Sequence, residues 1–107
     1  MKRGDIHYVA APDFFGKVRP AVIVQSDKYL QDPTSLTVCL ITGAAPGRPM
    51  FRVVLPVGVR SGLEKISEVM IDKVMSLPVD RVKNRIGAVT AEELRRIDQA
   101  IKDWLDL

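Results

Sequence analysis

The stretch Lys17-Val18-Arg19-Pro20-Ala21-Val22-Ile23-Val24-Gln25-Ser26-Asp27 decides the fold of this chain. Its apolar, mainly β-branched centre is typical of a buried β-strand. Pro20 lacks a backbone donor and is tolerated at the first position of a strand, so it predicts where the strand begins. Arg19 precedes that entry, where functional side chains are commonly presented. The stretch therefore predicts a buried strand with a cation at its mouth, either a solvated arginine or one placed to meet an anion.

Five further segments have strand character. They are residues 5–9, 36–42, 51–55, 67–72 and 86–89, and loops rich in Gly and Pro lie at 10–18 and 43–49. The chain has 107 residues, of which 47% are hydrophobic. That length suits a single domain over residues 1–107. Many short strands in such a chain predict a small, curled, partly open antiparallel barrel that hides its edges.

A helix is predicted at the end of the chain. Thr90-Ala91-Glu92-Glu93 is a capping box, in which the Thr90 hydroxyl accepts from the backbone amide of Glu93 and the carboxylate reaches back. Apolar residues then follow at helical spacing on one face: Leu94, Ile97, Ile101, Trp104 and Leu105. This stripe is expected to pack on the core, although part of it is available to a second subunit.

The charge distribution permits a polyanionic partner. The net charge is +3, and residues 1–90 carry 13 bases and 8 acids, a net of +5, whereas residues 91–107 are slightly acidic. After Met1, Lys2 and Arg3, the residues Gly4 and Asp5 interrupt any signal peptide. No apolar run approaches the about 18 residues of a membrane span. We therefore expect a cytoplasmic protein with a basic surface.

Standard catalytic templates are absent from the sequence. One Cys and one His argue against a structural zinc site, and we expect Cys39 to be a buried strand thiol and His7 to be structural. The chain has no glycine-rich phosphate loop, paired-histidine metal motif or nucleophile elbow. Arginine combined with a hydroxyl residue remains, and this pair suits the stabilisation of charge on a phosphoryl group.

Several motifs follow one another in the order seen in the MazF/PemK toxins, which this chain resembles over nearly its whole length. The motifs are Arg3-Gly4-Asp5-Ile6, the stretch from Lys17 to Asp27, Leu40-Ile41-Thr42, Ile71-Asp72-Lys73-Val74-Met75-Ser76-Leu77, Ile86-Gly87 and the final helix. The resemblance implies an SH3-like barrel of the MazF/CcdB toxin type, mainly β with a C-terminal helix. It also implies a homodimer and a cognate MazE-like antitoxin with an acidic tail.

The resemblance further implies a toxin that cuts single-stranded RNA at short sequences with no metal or other cofactor. The family's catalytic arginine and threonine correspond to Arg19 and Thr42, where 2′-hydroxyl attack would leave a 2′,3′-cyclic phosphate. RNA contacts are expected from Lys17, Phe14, Phe15, Gly43, Arg48, Asp72, Lys73 and Ser76. The apolar residues Ile66, Val69 and Ile71, together with the final helix, are expected to support the dimer.

Some positions depart from the family pattern. The usual G-x-E-Q segment is replaced by Phe14-Phe15-Gly16-Lys17, and Met75 stands where a basic residue is common. Phe14 and Phe15 either stack on bases or anchor their loop on the barrel. These changes are expected to alter RNA sequence choice. The alternatives are a CcdB-like protein that poisons DNA gyrase by binding, or an inactive MazF-like binding module.

Overall fold

The computed structural model describes residues 1–10, 17–45, 47, 49 and 51–107. These residues form six strands, two short 3₁₀ turns and a terminal helix. The strands are β1 (Asp5–Ala10), β2 (Val18–Ile23), β3 (Ser35–Gly43), β4 (Val53–Leu55), β5 (Ser67–Pro78) and β6 (Val82–Ala88); the turns are Asp27–Tyr29 and Val79–Arg81; the helix is α1 (Ala91–Leu105). The predicted fold class is confirmed.

All strand pairs are antiparallel, in the order β4-β5-β3-β2-β1-β6. The terminal strands of this order, β4 and β6, are not paired with each other within the described residues, so the sheet curls without closing. β4 has only three residues. Such a short edge offers few unpaired backbone groups to another chain.

The apolar run of β2 is explained by cores on both faces of the sheet. Val22 belongs to a cluster with Ile6, Cys39, Ile41 and Ile97 of α1. Its neighbours Ala21 and Ile23 belong to a second cluster with Val9, Val38, Leu40 and Leu77. Because successive residues of a strand point to opposite faces, burial on both faces requires a continuous apolar run without alternation.

Strand β2 begins two residues before Pro20, the position at which the sequence predicted its start. β2 starts at Val18, so Arg19 and Pro20 lie inside it, where Arg19 pairs with Val9 and Pro20 with Tyr8 of β1. The pairing of β2 with β3 begins only at Ala21. Pro20 is tolerated at this position because β2 is not hydrogen-bonded to β3 there. Arg19 is therefore held by a paired strand rather than by the end of a loop.

Other strand bounds also differ from the prediction. The segment at 51–55 is a strand only from Val53, whereas β5 continues to Pro78 and β6 begins at Val82 instead of residue 86. β5 is extended by its pairing with β3, and a register shift between Cys39 and Ile41 adds residues to β5 opposite Leu40. Such a bulge bends a strand. Edge strand β6 tolerates the exposed residues 83–85 because only β1 pairs with it.

Helix α1 has the predicted capping box. The amide of Thr90 donates to Oε1 of Glu93 at 2.8 Å, and the amide of Glu93 donates to Oγ1 of Thr90 at 3.1 Å. Ile97 is fully buried, but the stripe does not stay in the core: Trp104 and Leu105 are about half exposed. The last turn of the helix extends beyond the sheet, where Trp104 contacts the ring of Phe51 at 4.9 Å between centroids.

The prediction that Ile66, Val69 and Ile71 support a dimer is correct for at most one of the three residues. Val69 and Ile71 are fully buried in the chain's own core, so they cannot contribute to an interface, whereas Ile66 is more than half exposed. No helix in the described part of the chain has the length and apolar character needed to cross a membrane.

Candidate active site

Strands β2 and β3 bring Arg19 and Thr42 together. The pairing of β2 with β3 ends at Ala21–Leu40, and Arg19 and Thr42 lie two residues beyond that pair on the two adjacent strands. Residues directly opposite each other point to the same face, with β-carbons about 4.5–5.5 Å apart. Thr42 is in turn paired with Glu68 of β5. Thr42 therefore lies in a row across the sheet, between the strand that carries Arg19 and the strand that carries Glu68.

A cavity of about 640 Å³ opens at this row. Ends of several strands and the segment before β5 line it: Tyr8, Lys17, Val18, Arg19, Pro20, Ile41, Thr42, Gly43, Gly62, Leu63, Glu64, Lys65 and Ser67. Arg19 and Lys17 are exposed, and Thr42 is half-buried. The structure thus brings four of the predicted site residues, Lys17, Arg19, Thr42 and Gly43, to one cavity.

The described lining of the cavity is cationic. It contains three cationic side chains, from Lys17, Arg19 and Lys65, and one carboxylate, from Glu64. An arginine guanidinium stays charged at any physiological pH and offers five donors in a planar fork that matches two phosphate oxygens. The Thr42 hydroxyl adds a further hydrogen-bond donor to the same lining. The cavity is suited to an anion with several oxygens, such as a phosphodiester.

The wall opposite β2 is fixed by the close packing of two glycines. A β-carbon on Gly62 would lie 2.1 Å from the carbonyl oxygen of Ile86, and one on Gly87 would lie 2.3 Å from the carbonyl oxygen of Arg60. The amide of Ala88 also donates to Arg60 O at 2.8 Å. These approaches hold the segment that leads to Glu64 and Lys65 against β6. The wall is thereby built by backbone packing.

Of the remaining predicted RNA-binding residues, those that the structure describes do not line this cavity. Asp72, Lys73 and Ser76 lie further along β5, where the hydroxyls of Ser76 and Thr37 are hydrogen-bonded at 2.8 Å. Oδ1 of Asp72 is buried with no hydrogen-bond partner among the described residues. Phe14, Phe15 and Arg48 lie outside the described residues. Their roles in RNA binding stay predictions.

His7 and Cys39 have the environments expected of structural residues. Nδ1 of His7 is 2.8 Å from the carbonyl oxygen of Lys83 across β1 and β6, and its side chain is buried. Burial raises the pKa of the Cys39 thiol to about 12; nearby Arg3 lowers the pKa and Asp72 raises it. Within the described ranges, no three His, Cys, Asp or Glu side chains are grouped to hold a metal ion.

Sequence reasoning missed three lining residues, Glu64, Lys65 and Ser67. They lie just before or at the start of β5, and the pairing of Gly43 with Ser67 is what brings them to the site. Ser67 is buried, and its hydroxyl donates to the carbonyl oxygen of Lys65 at 2.9 Å. Gly62, two residues before Glu64, is the only local signal in this segment, and it indicates at most a turn. Only the strand order shows that this turn borders Thr42.

Comparison with known proteins gives a consistent result. Residues 2–105 match the family described as PemK-like, MazF-like toxin of type II toxin–antitoxin system. A curated relative, the probable endoribonuclease MazF of Mycolicibacterium smegmatis, is 34% identical over 109 residues, covering 100% of this chain and 98% of its own.

Solved structures share the fold. The Mycobacterium tuberculosis toxin MazF-mt6 superposes with a TM-score of 0.82 at 27% identity, covering 96% of this chain and 97% of its own. A mycobacterial endoribonuclease solved in complex with its cognate antitoxin has a TM-score of 0.81 at 19% identity, covering 100% and 96% of the two chains. The second likeness is one of fold alone.

Proposed function

This chain belongs to the PemK-like, MazF-like toxins of type II toxin–antitoxin systems, an RNA-cleaving family, and from that membership we propose that it cuts single-stranded RNA at short sequences without a metal ion. One observation carries the proposal. Arg19 and Thr42, from two neighbouring strands, line the same cationic cavity. The gyrase-poison alternative is not favoured, because the curated relative is named an endoribonuclease.

The proposed reaction is an internal transfer. The ribose 2′-oxygen attacks the adjacent phosphorus, the bond from phosphorus to the 5′-oxygen breaks, and a 2′,3′-cyclic phosphate and a 5′-hydroxyl remain. The 2′-hydroxyl loses a proton and the 5′-oxygen gains one. Because the nucleophile is part of the substrate, the protein needs only to position the chain and stabilise charge.

Arg19 and Thr42 are proposed to share this stabilisation. The phosphorane intermediate carries more negative charge than the phosphodiester, and the guanidinium of Arg19 can donate to two of its oxygens at once. The Thr42 hydroxyl donates to the same group. A role for Arg19 in taking up a proton is disfavoured, because a guanidinium offers five donors and no acceptor.

We also propose the expected partners. The RNA is expected to contact Asp72, Lys73 and Ser76 on its way from the cavity, and a homodimer would extend this path across two subunits. A cognate antitoxin with an acidic segment would be attracted by the net charge of +5 on residues 1–90. Sedimentation at micromolar concentration tests the dimer, and a monomer there would contradict it.

The test of the activity is direct. Purified protein is incubated with a long single-stranded RNA in EDTA, and the new ends are sequenced and analysed chemically. We expect cleavage at a recurring short sequence with 5′-hydroxyl and 2′,3′-cyclic phosphate ends. Cleavage that EDTA abolishes and magnesium or zinc restores would contradict metal independence. Intact RNA together with stalled gyrase would favour the alternative.

A further inference from the structure

Lys65 has an unusual position beside Thr42. Its Nζ and Cε atoms lie 3.2 and 3.1 Å from the point that a β-carbon on Gly43 would occupy. Gly43 directly follows Thr42 in β3, and all three residues line the cavity. The ammonium group therefore lies against the backbone of Gly43, the residue that follows Thr42, inside the same cavity.

The backbone that carries Lys65 is fixed from several sides. Gly43 is paired with Ser67, and the amide of Ala44 donates to the carbonyl oxygen of Ile66 at 3.0 Å. The Ser67 hydroxyl donates to the carbonyl oxygen of Lys65 itself at 2.9 Å. These contacts join the end of β3 to the segment before β5.

The charge of Lys65 is available to a ligand. Its ammonium forms no ion pair with any residue in the described part of the chain. The described lining of the cavity holds three cations and one carboxylate, so it carries a net positive charge that attracts an anion.

We infer that Lys65 binds a non-bridging oxygen of the phosphate that is cleaved, together with Arg19 and Thr42, and that a β-carbon at residue 43 moves the ammonium by a few tenths of an ångström. This inference rests on the proposed function, since it adds a phosphate-binding residue to the same reaction. Lys65 would balance charge as the phosphorane forms, while Arg19 supplies the two-pronged contact.

The test uses four variants of the full chain: Lys65→Gln, Gly43→Ala, the double variant, and Lys102→Gln as a control. Lys102 is an exposed lysine on α1, outside the cavity lining, so its substitution changes the net charge equally. Single-turnover cleavage is measured on a short RNA containing a mapped site. RNA affinity is measured at several salt concentrations, on the same RNA with the 2′-hydroxyl at the cleavage site replaced by hydrogen.

Lys65→Gln is expected to slow cleavage about 10²-fold, the scale of one lost oxyanion contact. It should also reduce the slope of log affinity against log salt by about 0.7, the value for one contact to single-stranded nucleic acid. Gly43→Ala should slow cleavage less than Lys65→Gln, because the flexible lysine must move by only a few tenths of an ångström, and the double variant should be no slower than Lys65→Gln, because both changes affect the same contact. Lys102→Gln should leave rate and slope unchanged.

The outcomes separate the two claims. If the wild type cleaves RNA but Lys65→Gln matches Lys102→Gln in rate and salt slope, the inference about Lys65 is wrong. If Gly43→Ala slows the Lys65→Gln protein as much as the wild type, the steric role of Gly43 is wrong. If the wild type cleaves no RNA, the proposed function fails, and the salt slope of binding to the uncut RNA still decides whether Lys65 contacts phosphate.

Discussion

Gly62 lies so close to Ile86 that a β-carbon on the glycine would be 2.1 Å from the Ile86 carbonyl oxygen. Gly62 also has a φ of +73°, which L-residues rarely adopt. This contact of backbone on backbone holds the segment before β5 against β6. It therefore sets the wall of the cavity that contains Glu64 and Lys65.

Gly62→Ala is expected to lower the free energy of unfolding by at least about 2 kcal/mol, because neither backbone can move away from the added methyl. Gly47→Ala is the matched control: its φ is +74°, but no atom of the described residues lies within 4 Å of the added β-carbon. It should cost only the backbone strain, about 1 kcal/mol. Urea unfolding of the two variants measures the difference, and equal losses would show that the contact with Ile86 is unimportant.

The Arg52–Glu68 ion pair gives a second prediction. Nη1 of Arg52 donates to Oε1 of Glu68 at 2.9 Å, and the glutamate side chain is only 1% exposed. Removing one cationic partner of a buried carboxylate is costly because the carboxylate lies in a poorly solvated place, so Arg52→Met should destabilise the protein by about 3 kcal/mol. Arg95 pairs with Glu92 on the exposed surface of α1.

Arg95→Met is therefore the matched control, and it should change stability by less than about 1 kcal/mol. Chemical denaturation of both variants under the same conditions provides the comparison. A loss for Arg52→Met as small as that for Arg95→Met would mean that the buried pair does not stabilise this sheet.

Cys39 gives a prediction about pH. Its pKa is raised from 9.0 to about 12, first by burial, with Arg3 lowering it and Asp72 raising it. Between these values the unfolded chain loses the thiol proton while the folded chain keeps it. Stability is therefore expected to fall as pH rises through this interval, by up to about 1.4 kcal/mol per pH unit. Cys39→Ala should show a shallower fall.

The same burial makes the thiol unreactive in the folded protein. At pH 8, iodoacetamide should label Cys39 only after denaturant is added, because the thiolate is the reactive form and the side chain is fully buried. Mass spectrometry of the protein before and after unfolding measures this directly. Rapid labelling of the native protein would contradict the described packing around Cys39.

The elements that local chemistry determines were predictable from sequence. The apolar run of β2 has no alternation, the Thr90 capping box is a local motif, and both were confirmed. The limits of β5 were not predictable, because polar residues such as Lys73 continue the strand only through long-range pairing with β3. Pro20 was misjudged as a strand start because its tolerance depends on where the neighbouring ladder begins.

The site was predictable only in part. A resemblance to a known family pointed to Arg19 and Thr42, and the structure shows that both line one cavity. Lys65 and Ser67 were missed because they are more than 20 residues away from Thr42 in sequence. No local pattern relates them to the site, since their proximity depends on the antiparallel pairing of β3 with β5.

The central claim is that Arg19 and Thr42 stabilise the reacting phosphate. Arg19→Ala should remove most cleavage, and Arg19→Lys should recover little, because an ammonium cannot donate to two oxygens in the planar geometry of a guanidinium. Thr42→Val keeps the shape of the side chain and removes its hydroxyl. Neither substitution opens a core cavity, since Arg19 is exposed and Thr42 half-buried.

The most direct measurement is the single-turnover cleavage rate of a defined RNA by wild type, Arg19→Ala and Thr42→Val, with RNA affinity measured separately. For Thr42→Val we predict a rate lower by about 10²–10³-fold with nearly unchanged affinity, as expected for a contact made mainly in the transition state. Near wild-type rates for both Arg19→Ala and Thr42→Val would contradict the assignment of this cavity as the active site.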